Sequence, residues 1–173
     1  MLHSSKGVKL KKLSAQDVHL LQEQPELFFQ KNSIIRTDGD WPYDGLKAYL
    51  PLFHELLLEN PNAFTGPWVM VTEQNQLIGD ISVKTFNENV TCLEGSDSLF
   101  EMAYFVTPAK RNKGYATEAI ARLSTWFFEM SKQRVLYART KKGNLPSQRV
   151  LQKTGFKRIE EDDFVRTYIK KRD

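Results

Sequence analysis

At 173 residues, with 40% apolar residues including eleven Phe, the chain has material for one core of ordinary domain size. Its 25 Lys and Arg against 21 Asp and Glu give a mild positive excess spread along the chain, which fits a small anionic ligand as well as a nucleic acid. No apolar run approaches the ~20 residues of a membrane span, Met1 to Lys12 lack the apolar stretch of a signal peptide, and the single Cys92 has no disulfide partner, so a cytoplasmic setting with a passive thiol is expected.

No internal repeat or low-complexity linker divides the chain, and residues 1–173 are read as one domain. Val8 to Leu13 alternates loosely and predicts a first strand. Ser14 is placed to cap a helix from Ala15 to about Gln24, with Asp17 completing a capping-box-like pattern. A turn-rich stretch over Asp40 to Gly45 precedes a helix predicted from Asp44 to Glu59, with Leu46, Leu50, Phe53 and Leu57 on one face. Pro51 must kink it or start a new segment, since it lacks the amide donor of a helix interior. Trp68–Thr72 and Gln76–Val83 read as an antiparallel hairpin. Leu99–Val106 reads as a long strand with Phe100, Met102, Tyr104 and Val106 on one face and Glu101 on the other. From Gly114 to Met130 an apolar stripe through Ala116, Ala119, Ile120, Leu123, Phe127 and Met130 predicts a helix. A strand over Val135–Thr140, a helix over Asn144–Thr154 stopped by Gly155, and a hairpin over Phe156–Ile159 and Phe164–Ile169 follow. The pattern is that of a mixed α/β sheet.

The run from Glu101 to Ala119 carries the functional signal. An apolar strand ends, a short basic loop with Gly114 follows, and a helix begins at once. Free backbone N–H groups from Asn112 through Ala116, the positive end of the helix dipole, and Arg111 and Lys113 would converge on one spot, which is how proteins hold phosphate. The plainer alternative is a solvated loop with an incidental glycine.

The loop reads Arg111-x-x-Gly114-x-Ala116. A second block, Asn144-x-x-Ser147-x-x-x-Leu151-x-Lys153-x-Gly155-Phe156, lies about 33 residues on, room for a helix, a strand and a turn. On these motifs residues 99 to 160 resemble the GNAT N-acetyltransferase family, and most of all its branch that acetylates the N-termini of ribosomal proteins. The resemblance implies a mixed, mostly antiparallel sheet of about seven strands flanked by about four helices, with acetyl-CoA as cosubstrate. It implies that the pantetheine arm runs along the backbone of Phe105, Val106 and Thr107, which Pro108 would free from a neighbouring strand. It places the pyrophosphate on Arg111, Asn112, Lys113, Gly114, Tyr115, Ala116 and Thr117. Asn144 would orient the arm or the incoming amine, or simply cap its helix.

Amine acetylation needs a neutral nucleophile, so a base must remove a proton, directly or through water. Glu101 matches an acidic position that the family associates with this step, although it could instead be exposed or paired to a cation. Many members carry a tyrosine where this chain has Leu151. With that tyrosine absent, Ser147 is the implied hydrogen-bond donor to the departing sulfur, unless it is an ordinary first-turn serine. The implied partner is an amine acceptor such as a ribosomal or other protein N-terminus, with a monomer or homodimer and neither membrane nor nucleic acid involved.

Other readings stay open. A polyamine or aminoglycoside would want an acidic pocket, which Asp38, Asp40, Asp44 and Glu88 could supply unless they are turn formers. Trp41, Tyr43 and Phe86 could wall it or belong to the core. A non-catalytic CoA-binding regulatory module is the rival of a different class. A nucleic-acid surface through Lys9, Lys11, Lys12 and the Arg166–Arg172 tail lacks interleaved aromatics. His3 lies in a tail, and His19 and His54 lack metal-ligand spacing, so no metal site is expected.

Overall fold

The computed structural model describes residues 7–86 and 99–172. Cys92, Glu88 and His3 lie outside the described residues, as does the Phe86 side chain. The chain runs β1 (Val8–Lys12), α1 (Ala15–Glu23), α2 (Pro25–Asn32), α3 (Asp44–Lys47), α4 (Leu50–Glu59), β2 (Gly66–Thr72), β3 (Leu77–Phe86), β4 (Leu99–Val106), a 3-10 turn (Pro108–Lys110), α5 (Tyr115–Met130), β5 (Val135–Lys141), α6 (Leu145–Lys153), β6 (Lys157–Glu161) and β7 (Val165–Lys171).

The seven strands form one sheet in the order β1-β2-β3-β4-β5-β7-β6. Every pairing is antiparallel except β4 with β5, where α5 makes the crossover. Each face carries its own apolar core. Ile81, Val83, Phe100, Met102, Leu136 and Ala138 pack with Ile120, Leu123 and Phe127 of α5 and Leu151 of α6. On the opposite face Val69, Val71 and Leu77 pack with Val18, Leu21, Phe28, Trp41, Leu46 and Phe53 from α1 to α4. No helix among the described residues is long and apolar enough to cross a membrane.

Local chemistry accounts for most element ends. The capping box at Ser14 is formed: Asp17 N donates to Ser14 Oγ at 3.1 Å, and Ser14 N donates to Asp17 Oδ2 at 3.1 Å. Gly155 takes φ +88° just past α6, where Phe156 N closes the end by donating to Leu151 O. The helix expected from Asp44 to Glu59 is two helices, because Pro51 sits in the first turn of α4, where no intrahelical donor is needed. Helix α2 was not legible: Pro25 starts it and only Phe28 and Phe29 are buried, too little for a stripe. These two breaks give six α-helices among the described residues, where about four were expected.

Two irregularities shape the centre of the sheet. Between β2 and β3 the register shifts, Met70 facing Gly79 and Val71 facing Leu77, so Ile78 is an extra residue. Beyond this bulge Ile81 and Val83 face α5, and Asp80, Ser82 and Lys84 point to the α3–α4 side, where they line a cavity. Gly79 at the bulge has φ +155°, and a Cβ there would lie 2.0 Å from Phe105 O. The second irregularity is a splay. Strand β4 pairs with β3 along its whole length but with β5 only at Glu101 opposite Tyr137. Thr107 N donates to Ile78 O on the β3 side. Alternation along the strand therefore turns the N–H groups of Val106 and Tyr104 the other way, into the gap.

Candidate active site

The loop after β4 is built to present amides. Asn112 (φ +60°) and Gly114 (φ +81°) are both left-handed, and Gly114 is the N-cap of α5. Alternating hands in this way turns successive N–H groups to one side. Gly114 brings no side-chain acceptor, and the first bond of the helix is Glu118 N to Gly114 O. The N–H groups of Tyr115, Ala116 and Thr117 thus meet a cleft of about 640 Å³ between this loop, the end of β4 and α6. The α5 dipole adds positive potential there.

Of the residues expected at the cofactor, Phe105, Val106, Arg111, Asn112, Lys113, Gly114, Tyr115, Ala116, Thr117, Asn144 and Ser147 all line this cleft. Thr107 does not. It is fully buried, its N–H donates to Ile78 O and its carbonyl accepts from Lys110 N, so its amide is committed to the β3 side. Arg111 lies back on the strand end: its Nε donates to Val106 O at 3.0 Å, and its guanidinium stands 5.3 Å from the Phe105 ring centroid. Sequence reasoning missed Tyr104, Lys110, Arg149 and Lys153 as lining residues. The signal for the last two was present, since positions four apart share a helix face.

Asn144 caps α6, its Oδ1 accepting from Ser147 N at 3.2 Å, and so fixes Ser147 at the cleft. The Ser147 Oγ is 2.7 Å from the Tyr104 hydroxyl. Burial pushes the Tyr104 phenol up from its ordinary value, with the Ser147 bond opposing, so the phenol keeps its proton at neutral pH. Leu151, the position of the absent tyrosine, is fully buried in the core and does not reach the cleft.

A second cavity of about 230 Å³ lies on the α3–α4 side of β3 and β4. Tyr104 and Phe105 line both spaces, so the two meet at the end of β4. Tyr43, Tyr49 and Phe53 supply aromatic walls, and Tyr43 packs on Phe105 with centroids 4.4 Å apart. Trp41 belongs to the core, and its Nε1 donates to Asp80 Oδ2 at 2.7 Å. Asp80 is 6% exposed, and burial pushes its carboxyl up to about 7, against the lowering effect of the Trp41 bond.

Glu101 is held by cations, the alternative that its strand position left open. Arg139 donates from Nε to Oε1 at 2.9 Å and from Nη2 to Oε2 at 3.2 Å, and Lys84 Nζ is 3.3 Å from Oε2. Both carboxylate oxygens are thus committed to cations from the neighbouring strands. Lys84 is engaged on its other side by the Tyr49 ring, 3.6 Å to the centroid.

Several of the remaining acidic and basic candidates have local partners. Asp38 accepts from Tyr43 Oη at 3.0 Å, and Asp40 and Asp44 line a separate groove that shares Tyr43 with the small cavity. Lys9 pairs with Glu73, Lys12 bonds Ala63 O and covers Trp68, and Arg166 pairs with Glu161, so these cations do not form one free stripe. His19 and His54 stack on each other with centroids 5.6 Å apart.

Residues 8–157 match the model of the acetyltransferase (GNAT) domain family. The uncharacterized N-acetyltransferase YjdG of Bacillus subtilis is 29% identical over 124 residues, which cover 69% of this chain and 68% of that protein. Among solved structures, ribosomal-protein-S5-alanine acetyltransferase from Vibrio fischeri superimposes with a TM-score of 0.65 at 16% identity, covering 99% of this chain and 96% of its own. Spermidine N-acetyltransferase from Vibrio cholerae does so with a TM-score of 0.62 at 16% identity, covering 96% and 95%. At this identity the structural likenesses speak for the fold.

Proposed function

Because the chain belongs to the GNAT acetyltransferase family, and is thus an acetyl-CoA-dependent N-acetyltransferase, we propose that its acceptor is the N-terminal amine of a protein or peptide. The observation that carries this reading is the small cavity. Its 230 Å³ falls below the roughly 300–1,000 Å³ typical of sites that enclose a whole small-molecule ligand. It suits a chain end with one small side chain.

Its chemistry supports the same acceptor. Asp80 is the one acidic residue among the described residues that line it, and half of the other lining residues are aromatic. A polyamine or aminoglycoside brings several ammonium groups, each of which needs a carboxylate or carbonyl when desolvated. The adjoining groove around Tyr43 mixes Glu23, Asp40 and Asp44 with Arg36 and Lys47, which suits the following residues of a peptide of no fixed charge. Of the two structural neighbours, one acts on a ribosomal protein and one on spermidine, so the cavity carries the choice.

The residues present fit the cosubstrate. The α5 amides, Lys113, Arg149 and Lys153 would hold its phosphates, and the unpaired edge of β4 would hold its amide-bearing arm. Acetyl-CoA supplies an acyl group on a thiol leaving group. Val106 N–H, turned into the gap, would polarise the acyl carbonyl. Ser147, joined to Tyr104, would donate a hydrogen bond to the departing sulfur.

The test is a panel of peptides differing in their first residue, set beside spermidine and small amines, with thiol release and product mass both recorded. Peptides with small first residues are expected to give the highest kcat/KM. A clear preference for spermidine would remove the peptide reading, and tight CoA binding without transfer to any amine would favour a regulatory module.

A further inference from the structure

On the acetyltransfer reading above, we propose that Asp80 on β3, and not Glu101 on β4, binds the incoming ammonium and takes its proton. Position is the first argument. Asp80 stands opposite Phe105 in the β3–β4 register, and Phe105 is one of the two residues common to the cofactor cleft and the small cavity. The bulge at Ile78 is what aims Asp80 into that cavity.

Availability is the second. Trp41 holds Oδ2 through one neutral hydrogen bond, and no cation pairs with Asp80 among the described residues. The charged and titratable groups that share the cavity are Tyr43 ahead of α3, Tyr49 ahead of α4, Lys84 on β3 and Tyr104 on β4. Among the described residues Lys84 is the one cation there, and it is committed to Glu101 and the Tyr49 ring. An almost fully buried carboxylate without a counter-charge is unfavourable, and such groups collect where chemistry needs them. A carboxyl raised to about 7 is half ionised near neutrality, the range in which a general base works best.

The protons balance. The ammonium enters with three N–H bonds and leaves one to Asp80, giving a neutral amine and a carboxylic acid. The nitrogen lone pair then forms the C–N bond as the C–S bond breaks. The second nitrogen proton passes to water as that bond forms, and the departing thiolate, hydrogen-bonded by the Ser147 hydroxyl, takes one proton from water, so the two cancel and Ser147 keeps its own. Asp80 returns its own proton to water.

The experiment compares wild type with D80N, E101Q and W41F, using an acetylated peptide and coenzyme A affinity as readouts. Wild-type kcat/KM is expected to show two ionisations, one near 7 and one from the peptide amine near ~8. D80N is expected to lose about 100-fold or more in kcat/KM, to keep CoA affinity, and to retain only the amine ionisation. E101Q keeps both. W41F removes the donor that favours the carboxylate, so its lower ionisation moves up in pH. Unchanged turnover and an unchanged profile in D80N would overturn the proposal, as would a W41F profile that does not move. Wild type that acetylates no amine would overturn the acetyltransfer reading and this inference with it, a result distinct from an active wild type matched by D80N.

Discussion

The hydroxyls of Tyr104 and Ser147 lie 2.7 Å apart, one carried by β4 and the other by the first turn of α6. The pair stands on the cofactor cleft, while Leu151 of the same helix is sealed in the core. A proton donor that the resemblance would put on α6 is thus available from the opposite strand. If the two hydroxyls act as a unit, S147A and Y104F should each lower kcat by about tenfold, and the double variant should lose little more than either single one. A double-mutant cycle on kcat checks this, and full additivity would show that they act apart.

Asp80 and Glu101 should respond to neutralisation in opposite ways. Folding raises the Asp80 carboxyl from 3.8 to about 7, so between those values the folded state holds the extra proton. Stability from this group therefore falls as pH rises from about 4 to 7, and above that the buried charge costs about 4 kcal/mol. D80N lacks the charge and keeps an acceptor for Trp41. Denaturant unfolding at pH 8 should find it more stable than wild type, with the advantage shrinking toward pH 5, although it is the slower enzyme.

E101Q should do the reverse. It leaves Lys84, 9% exposed at its side chain, and Arg139 without their shared counter-charge. The expected loss is about 3 kcal/mol, reduced from the fully buried range because Arg139 reaches solvent. Urea unfolding measures it, and activity should fall far less than in D80N once the folded fraction is allowed for.

Gly79→Ala should damage the site from outside it. The added Cβ would meet Phe105 O at 2.0 Å, and the backbone hand there suits only glycine. Strand β3 must move off β4 where the two cavities join. A loss of about 2 kcal/mol or more in stability, with weakened CoA binding by calorimetry, is expected.

The local parts of this site were legible in the sequence. The strand over Leu99–Val106, the stripe of α5 and the break at Gly114 are each written within a few consecutive residues, and the structure places them with nearly the same bounds. What long-range contacts decide was not legible. Trp41 and Asp80 are 39 residues apart, and their hydrogen bond exists only because the segment ahead of α3 folds back against β3. The face of Asp80 could not be read by alternation, since the bulge at Ile78 resets it. Tyr104 counted as an apolar residue in a strand pattern, which says nothing of where its hydroxyl ends. Thr107 has a related cause: which strand its amide meets depends on pairing parity, fixed by the register with β3. Glu101 sits where the motif puts it, but the cations that hold it come from two other strands.

The most direct measurement is a competition between a short peptide with a small first residue and spermidine for a limiting amount of acetyl-CoA, read by fragment mass. One acetyl group on the peptide α-amino nitrogen is expected in most of the product. Acetyl groups found mainly on spermidine, with the peptide left intact, would contradict it.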